Sequence, residues 1–504
     1  MIRTALVFVC LTAACGGSGG ADAGAGGGAA STGGGTSGTG GGSSAGGASF
    51  IDDGAAVASG TRLRTRHLVA DGGARSFLSF YDSQRQEPCS PQQVSATQWR
   101  CLPANSFTTT FSDATCSTPM ALAESFAPCE RPAYLQVPSV EPVVMCPSAV
   151  APRVFSVASA SMSVTSIYER ADGGCVLLRQ PPVGVGAFLG TMEVPLTSFV
   201  ALHEELADGG PLVAHFLVSD DKARKVERLT LQDSGVEATI TPDGGFFVPA
   251  TNIYVPDTGK DYADSACATE VGYSFVTCSP PTPFVTVFEE VTQCGVRMSI
   301  RARGNELTDG GFMKTGTRCM ADTTPNKRRF ALGPAIPFSA FPPARVLSIG
   351  TGVLRVRAPG DDQGKAVSGQ TSWFDTAAGV TCSPERMSDG KVHCVDVRNG
   401  MSGFALFSDA ACTNPIFDAP PPACGTRAVP FDVFLPATAA TGNLDRCGTA
   451  TLRRAVRPFT AAMAWTKDPM TQLCTQVPSN ASANAFETEL VLPSAREPMT
   501  VVND

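Results

Sequence analysis

In two stretches of this chain apolar and polar residues change places at every second position, the period of a half-buried strand. Leu63, Thr65 and His67 alternate with Arg62, Arg64 and Arg66, which predicts one dry and one wet face, and residues 353–357 alternate in the same way. Between such runs stand Asp-Gly turns, at Asp71, Asp172, Asp208, Asp243, Asp309 and Asp389. Both residues tolerate the positive φ that tight hairpins need. The 38 prolines are spread throughout and leave little room for long helices. One short helix is expected, over residues 197–206. The pattern predicts an all-β protein.

The chain also repeats itself, which reorganises the whole reading. Phe111-Ser-Asp-Ala-Thr-Cys116 returns as Tyr262-Ala-Asp-Ser-Ala-Cys267 and as Phe407-Ser-Asp-Ala-Ala-Cys412, with the cysteines 151 (267 minus 116) and 145 (412 minus 267) residues apart. Phe188, Phe330 and Phe486 each stand seven residues before a proline, at Pro195, Pro337 and Pro493. Three units follow: 61–206, 207–345 and 346–504. Phe80-Tyr-Asp before Cys89 resembles Ile167-Tyr-Glu before Cys175, so each unit reads as two related halves. Six halves suggest a six-bladed β-propeller-like ring. The alternative is three tandem disulfide-stapled sandwich or barrel domains. Repeats that run on without linkers favour the ring.

Composition then adds a location. Met1-Ile-Arg3 and the apolar run Ala5–Leu11 form a secretory signal too short to span a bilayer. Leu11-Thr-Ala-Ala-Cys15 resembles the bacterial lipobox, with Thr12 where that family prefers Leu, Val or Ile; the resemblance implies a signal peptide over 1–14 and lipidation of Cys15. Gly16 after the cysteine favours the outer membrane, on its periplasmic or its outer side. Residues 16–49 are almost all Gly, Ala, Ser and Thr, a flexible tether with a reach of roughly 30 Å; with Cys15 and the residues up to 60 it forms one linking segment. The Gly-x-Ser-x-Gly matches at Gly16 and Gly42 fall inside it, without the strand and helix that a nucleophile elbow needs. A net charge of −8 gives no case for nucleic acid.

Of 18 cysteines, 16 remain beyond Cys10 and Cys15, an even number in an exported chain. The first and third units hold six each and the second holds four. Where the first two cysteines of the second unit should stand there are Ile240 and Phe247: Thr239-Ile-Thr-Pro242 matches Pro88-Cys-Ser-Pro91, and Phe247-Val-Pro-Ala250 matches Cys101-Leu-Pro-Ala104. Losing two cysteines together implies that first pairs with second. By spacing, third-to-fourth and fifth-to-sixth pairing follows, although other connectivities stay open. The expected bridges are Cys89–Cys101, Cys116–Cys129, Cys146–Cys175, Cys267–Cys278, Cys294–Cys319, Cys382–Cys394, Cys412–Cys424 and Cys447–Cys474. Metal binding is disfavoured by the lack of any C-x-x-C. Structural calcium is the one metal kept open, since Asp-Gly turns offer oxygen ligands, yet no D-x-D-x-D-G loop is present.

No catalytic constellation emerges. His67, His203, His215 and His393 are scattered, and strand positions explain them. Ser388-Asp-Gly-Lys391 matches S-x-x-K, but Asp389-Gly390 makes a turn where serine–lysine enzymes have a helix. Asp113, Asp264 and Asp409 read as turn acceptors of backbone N–H groups. Arg62, Arg64 and Arg66 read as a solvated or edge-protecting face, with an anionic polysaccharide or lipid as the rival use. Trp99 and Trp373 belong beside disulfide hairpins, and Trp465 offers a ring for sugar stacking.

The lipobox, Gly-rich tether, Tyr-x-Asp and Phe-Ser-Asp-x-x-Cys hairpins together resemble the uncharacterised cysteine-rich lipoproteins of myxobacteria. That resemblance implies a setting and no mechanism. The expectation is a cell-envelope lipoprotein acting as a surface-tethered binding module without cofactor, for an extracellular or periplasmic protein or polysaccharide. An extracytoplasmic propeller-type hydrolase and a purely structural envelope component are the alternatives.

Overall fold

The computed structural model describes residues 57–95, 97–104, 108–122, 133–137, 151–171, 174–180, 186–208, 210–275, 281–292, 295–308, 311–315, 317–324, 327–362, 371–387, 389–396, 406–418, 431–435, 451–467, 473–478, 485–492 and 496–504. Cys15 and its tether lie outside them, as do Cys129, Cys146, Cys278, Cys294, Cys424 and Cys447. Among the described residues the protein is all-β. Its helical turns are three residues long, Leu196–Ser198 and Phe338–Ala340. The helix expected over 197–206 is instead the end of one such turn followed by the strand Ala201–Asp208. That strand pairs with Leu212–Ser219 along its length, from Leu202↔Ser219 to Asp208↔Val213. Ladder bonds to a neighbour outweigh weak helical spacing.

Each repeat opens with an antiparallel meander. In the first it comprises Leu63–Ala70, Arg75–Asp82, Glu87–Gln93 and Trp99–Pro103. The second has Ala201–Asp208, which runs across the boundary expected at 206, then Leu212–Ser219, Arg224–Leu231, Ala238–Ile240 and Phe247–Pro249. The third has Arg345–Ile349, Leu354–Gly360, Ser372–Asp375, Val380–Arg386 and Val392–Asp396. The last strand of each meander meets the start of the next. Arg100 faces Ala201, Phe246 bridges Pro343, and His393 faces Pro498. The C-terminal strand Pro498–Asn503 then pairs with Leu63–Ala70, which closes the circuit. The pairing therefore does not divide into six blades. Most of the meander strands run together in a 14-stranded sheet, and the short Ala238–Ile240 and Phe247–Pro249 hairpin completes the circle through the Thr230↔Glu237 and Phe246↔Pro343 bridges.

The second half of each repeat is built differently, so the two halves are not related units. In the second repeat Tyr254–Val255, Phe284–Thr292, Gly295–Glu306, Arg328–Ile336 and Glu270–Ser274 pair in that order, and Tyr254 pairs back to Tyr273. The result is a five-stranded barrel around Ile253, Val255, Val285 and Phe330. The same strand order recurs in the first repeat as Tyr134–Val137, Arg153–Val157, Gly186–Val194 and Met120–Leu122. It recurs in the third as Phe431–Leu435, Thr451–Pro458, Ala485–Leu490 and Ile416–Asp418. Phe330 and Phe486 are buried in corresponding strands, and Phe188 is half-buried at the same place in the first repeat.

Cores form where neighbouring meanders meet. Leu63, Phe80, Leu202 and Leu217 share one, while Leu68, Ala70, Leu354 and Trp373 share another. A third joins Leu212, Phe216, Leu231 and Phe247 to Ile300 of the adjacent barrel. Turns also interlock: Gly72 accepts a hydrogen bond from Thr351 N at 3.0 Å. Gly72 has φ +81°, and a Cβ there would collide with the backbone of Gly352, so this contact requires glycine.

Candidate functional site

The feature that recurs at the same place in all three repeats is the Asp-to-Cys loop. Asp113 accepts backbone N–H bonds from Thr115 (3.0 Å), Ser117 (3.1 Å) and Thr118 (2.7 Å). Asp264 does the same with Ala266 (3.0 Å), Ala268 (3.2 Å) and Thr269 (2.8 Å). Asp409 takes Ala411 (3.1 Å), Thr413 (3.1 Å) and Asn414 (2.6 Å). Each loop ends in a left-handed cysteine, with φ of 50° at Cys116 and 51° at Cys267 and Cys412. Non-glycine residues seldom adopt that region, and the triply bonded carboxylate holds them there. Burial alone would raise the Asp113 pKa, but the hydrogen bonds from Thr115, Ser117 and Thr118 outweigh it and hold the group well below its ordinary value. At Asp264 the Ala268 and Thr269 N–H groups lower it. At Asp409 burial opposes, and Thr413 and Asn414 prevail. These carboxylates are already engaged by the backbone, the role read for them from the sequence.

The left-handed turn aims each cysteine at a neighbouring hairpin, and this changes the disulfide pattern. Cys116 bonds Cys175, Cys267 bonds Cys319, and Cys412 bonds Cys474, with Cα atoms 5.7, 5.7 and 6.0 Å apart. Pairing is third to sixth. The expected bridges Cys116–Cys129, Cys146–Cys175, Cys267–Cys278, Cys294–Cys319, Cys412–Cys424 and Cys447–Cys474 are thereby displaced. The cause is strand pairing: Phe111 faces Tyr168, Tyr262 faces Phe312, and Phe407 bridges Trp465, so each loop lies against the hairpin that carries the sixth cysteine. Cys89 bonds Cys101 and Cys382 bonds Cys394, with Cα atoms 5.3 Å apart in each. In the second repeat Ile240 and Phe247 are direct cross-strand partners, Phe247 is buried, and Ile240 packs on the same core.

Other sequence candidates are drawn into the scaffold one by one. The strand Leu63–Ala70 carries a bulge between Arg66 and His67, which breaks the expected alternation: Leu63, Leu68 and Ala70 are buried, Arg64 is exposed, and Arg66 is 8% exposed. Arg62 pairs with buried Asp82 at 2.7 Å. His67 lies 2.8 Å from Arg75 and 3.2 Å from Asp504. Burial, with Arg75 beside it, lowers its pKa to about 4. His203 contacts Glu205, His215 contacts Glu204 and Thr230, and His393 contacts Asp389 and the Arg496 carbonyl. Asp389-Gly390 forms the expected turn, with Gly390 at φ +77°; Ser388 lies outside the described residues. Trp373 is buried and Trp99 packs against the Cys89–Cys101 core, whereas Trp465 is half-buried.

Two features escaped the sequence reading. In the second repeat Lys327 and Arg329 both reach Asp261 and Asp322, all four side chains being nearly inaccessible. The Lys327 ammonium also lies 4.0 Å from the Tyr273 ring centre. The register of Phe330 with Phe188 and Phe486 held the signal, since Arg329 then stands where the other repeats bury Ala187 and Ala485. The second is Glu87. Burial raises its pKa to about 8, with Arg85 opposing and Asp82 assisting. Among the described residues no three His, Cys, Asp or Glu side chains gather to hold a metal.

Fold and loops define an all-β, disulfide-stapled repeat protein, and its disulfides mark an extracytoplasmic chain. No helix among the described residues is long and apolar enough to cross a membrane. The chain belongs to a family of unknown function, DUF7481, whose profile matches residues 42–429. Neither the curated proteins nor the solved structures provide a match.

Proposed function

We propose that this protein is a cell-envelope lipoprotein, anchored through Cys15, whose β-body serves as a surface-tethered binding module for an extracellular or periplasmic protein or polysaccharide. The carrying observation is that one stapled unit, an Asp loop bonded to a disulfide hairpin, is presented three times on one body. Like units repeated on one scaffold suit contact with a repetitive polymer or with one partner at several points, where linked weak contacts gain avidity. Arg62, Arg66, His67, His393 and the three loop aspartates are engaged in holding this scaffold, which directs the reading to its surface. The likeness to the myxobacterial lipoproteins supplies the setting, an outer-membrane destination on either face.

Cell fractionation of a Cys15→Ser variant tests the anchor. The variant is expected in the soluble fraction, with loss of fatty-acid labelling; unchanged membrane retention would count against lipidation. Co-sedimentation of the purified variant with isolated envelope polysaccharide then tests the binding role, and absence of co-sedimentation would leave the protein-ligand arm to be assayed by cross-linking on intact cells.

A further inference from the structure

Among the described residues, the first repeat has no strand of its own where the others have one. Ala201–Asp208 and Arg345–Ile349 each pair with the strand that follows them. The corresponding segment of the first repeat, Val57–Ala58, instead leaves its repeat and pairs with Lys225 and Arg224 of the second. The open edge of Leu63–Ala70 is filled from the far end of the chain by Pro498–Asn503, with register pairs from Arg66↔Asn503 to Ala70↔Met499. We propose that the strand Pro498–Asn503 is a latch: the ring of three meanders closes only when it docks, so the first repeat completes its fold after residues 498–503 have been made and exported.

Both flanks and the tip of the strand are fastened. On its other side Met499 pairs with Val392 and Pro498 with His393. Met499 is buried among Leu68, Ala70, Leu354, Val356 and Trp373, and Val501 packs on the same cluster. The first and third repeats share this core, to which the latch contributes Met499 and Val501. At the tip, Asp504 N donates to the Thr65 carbonyl at 3.0 Å. The Asp504 carboxylate accepts from Thr65 Oγ1 at 3.1 Å and lies against His67 and Arg75. At the base, the Arg496 carbonyl meets His393 at 3.2 Å and its guanidinium meets Asp375 at 3.4 Å. Contacts of such sequence separation form late, because loop closure must precede their reward.

The test is hydrogen exchange on the full chain carrying Val502→Pro or Val502→Thr. Val502 is 36% exposed, so its side chain is not what holds the core; proline removes a backbone donor from the ladder and threonine does not. In V502P the amides of Leu63–Ala70 and Val392–Asp396 are expected to exchange roughly tenfold faster or more, while Arg328–Ile336 of the second barrel stays protected. V502T is expected to match the parent. Failure of V502P to fold while V502T folds would also support the latch. Unchanged protection of Leu63–Ala70 in V502P would overturn it.

Discussion

At the scale of single residues, polar groups in this protein hold backbone and chain crossings in place. Asp113, Asp264 and Asp409 were legible as turn acceptors because a short carboxylate two residues ahead of free N–H groups has few other uses. What the sequence hid was the consequence, a left-handed cysteine that turns its sulfur toward another hairpin. Glu87 is the exception to this economy, a carboxylate with one buried oxygen lacking a hydrogen-bond partner and a pKa raised from 4.5 to about 8. Because the folded protein binds the proton more tightly than the unfolded chain, this group favours folding below pH 4.5. That contribution is lost as pH rises toward 8. Glu87→Gln should therefore stabilise the protein against denaturant more at pH 8 than at pH 5, by a difference of about 3 kcal/mol. An equal effect at both pH values would contradict the buried neutral acid.

Among the elements, alternation and Asp-Gly turns were enough to predict strands and hairpins, since both are local signals. The bulge after Arg66 was not legible, because a one-residue register shift is set by the partner strand and leaves no mark in the pattern. Disulfide pairing failed for a related reason. Spacing ranks near neighbours, whereas the third and sixth cysteines are brought together by strand pairing across 59, 52 and 62 residues. In the chain-entropy view such a loop contributes about 4 kcal/mol, against about 3 for the 12-residue Cys89–Cys101 and Cys382–Cys394 loops. The internal comparison did identify the pair standing in for the missing bridge. Phe247 is 2% exposed and faces Ile240 across the hairpin. Phe247→Ala should cost about 3–5 kcal/mol in denaturant unfolding; a loss below about 1 kcal/mol would show that the apolar pair does not replace the disulfide.

For the whole molecule, the threefold repeat was readable and its closure was not. Two halves per repeat suggested six like blades, but the first halves merge into one ring, and the second halves share a different strand order that closes into a barrel in the second repeat. The ring closes where Pro498–Asn503 pairs with Leu63–Ala70, and no comparison of repeats with one another can show that. The disulfides make the body that of an extracytoplasmic repeat protein, and the proposed anchor at Cys15 would hold it at the envelope. Its central claim is that three equivalent units are stapled third cysteine to sixth. The most direct measurement is mass-spectrometric mapping of unreduced peptides from protein purified from its native cells. The predicted result is linked peptides containing Cys116 with Cys175, Cys267 with Cys319 and Cys412 with Cys474. A peptide linking Cys116 to Cys129, or free thiols at these positions, would contradict it.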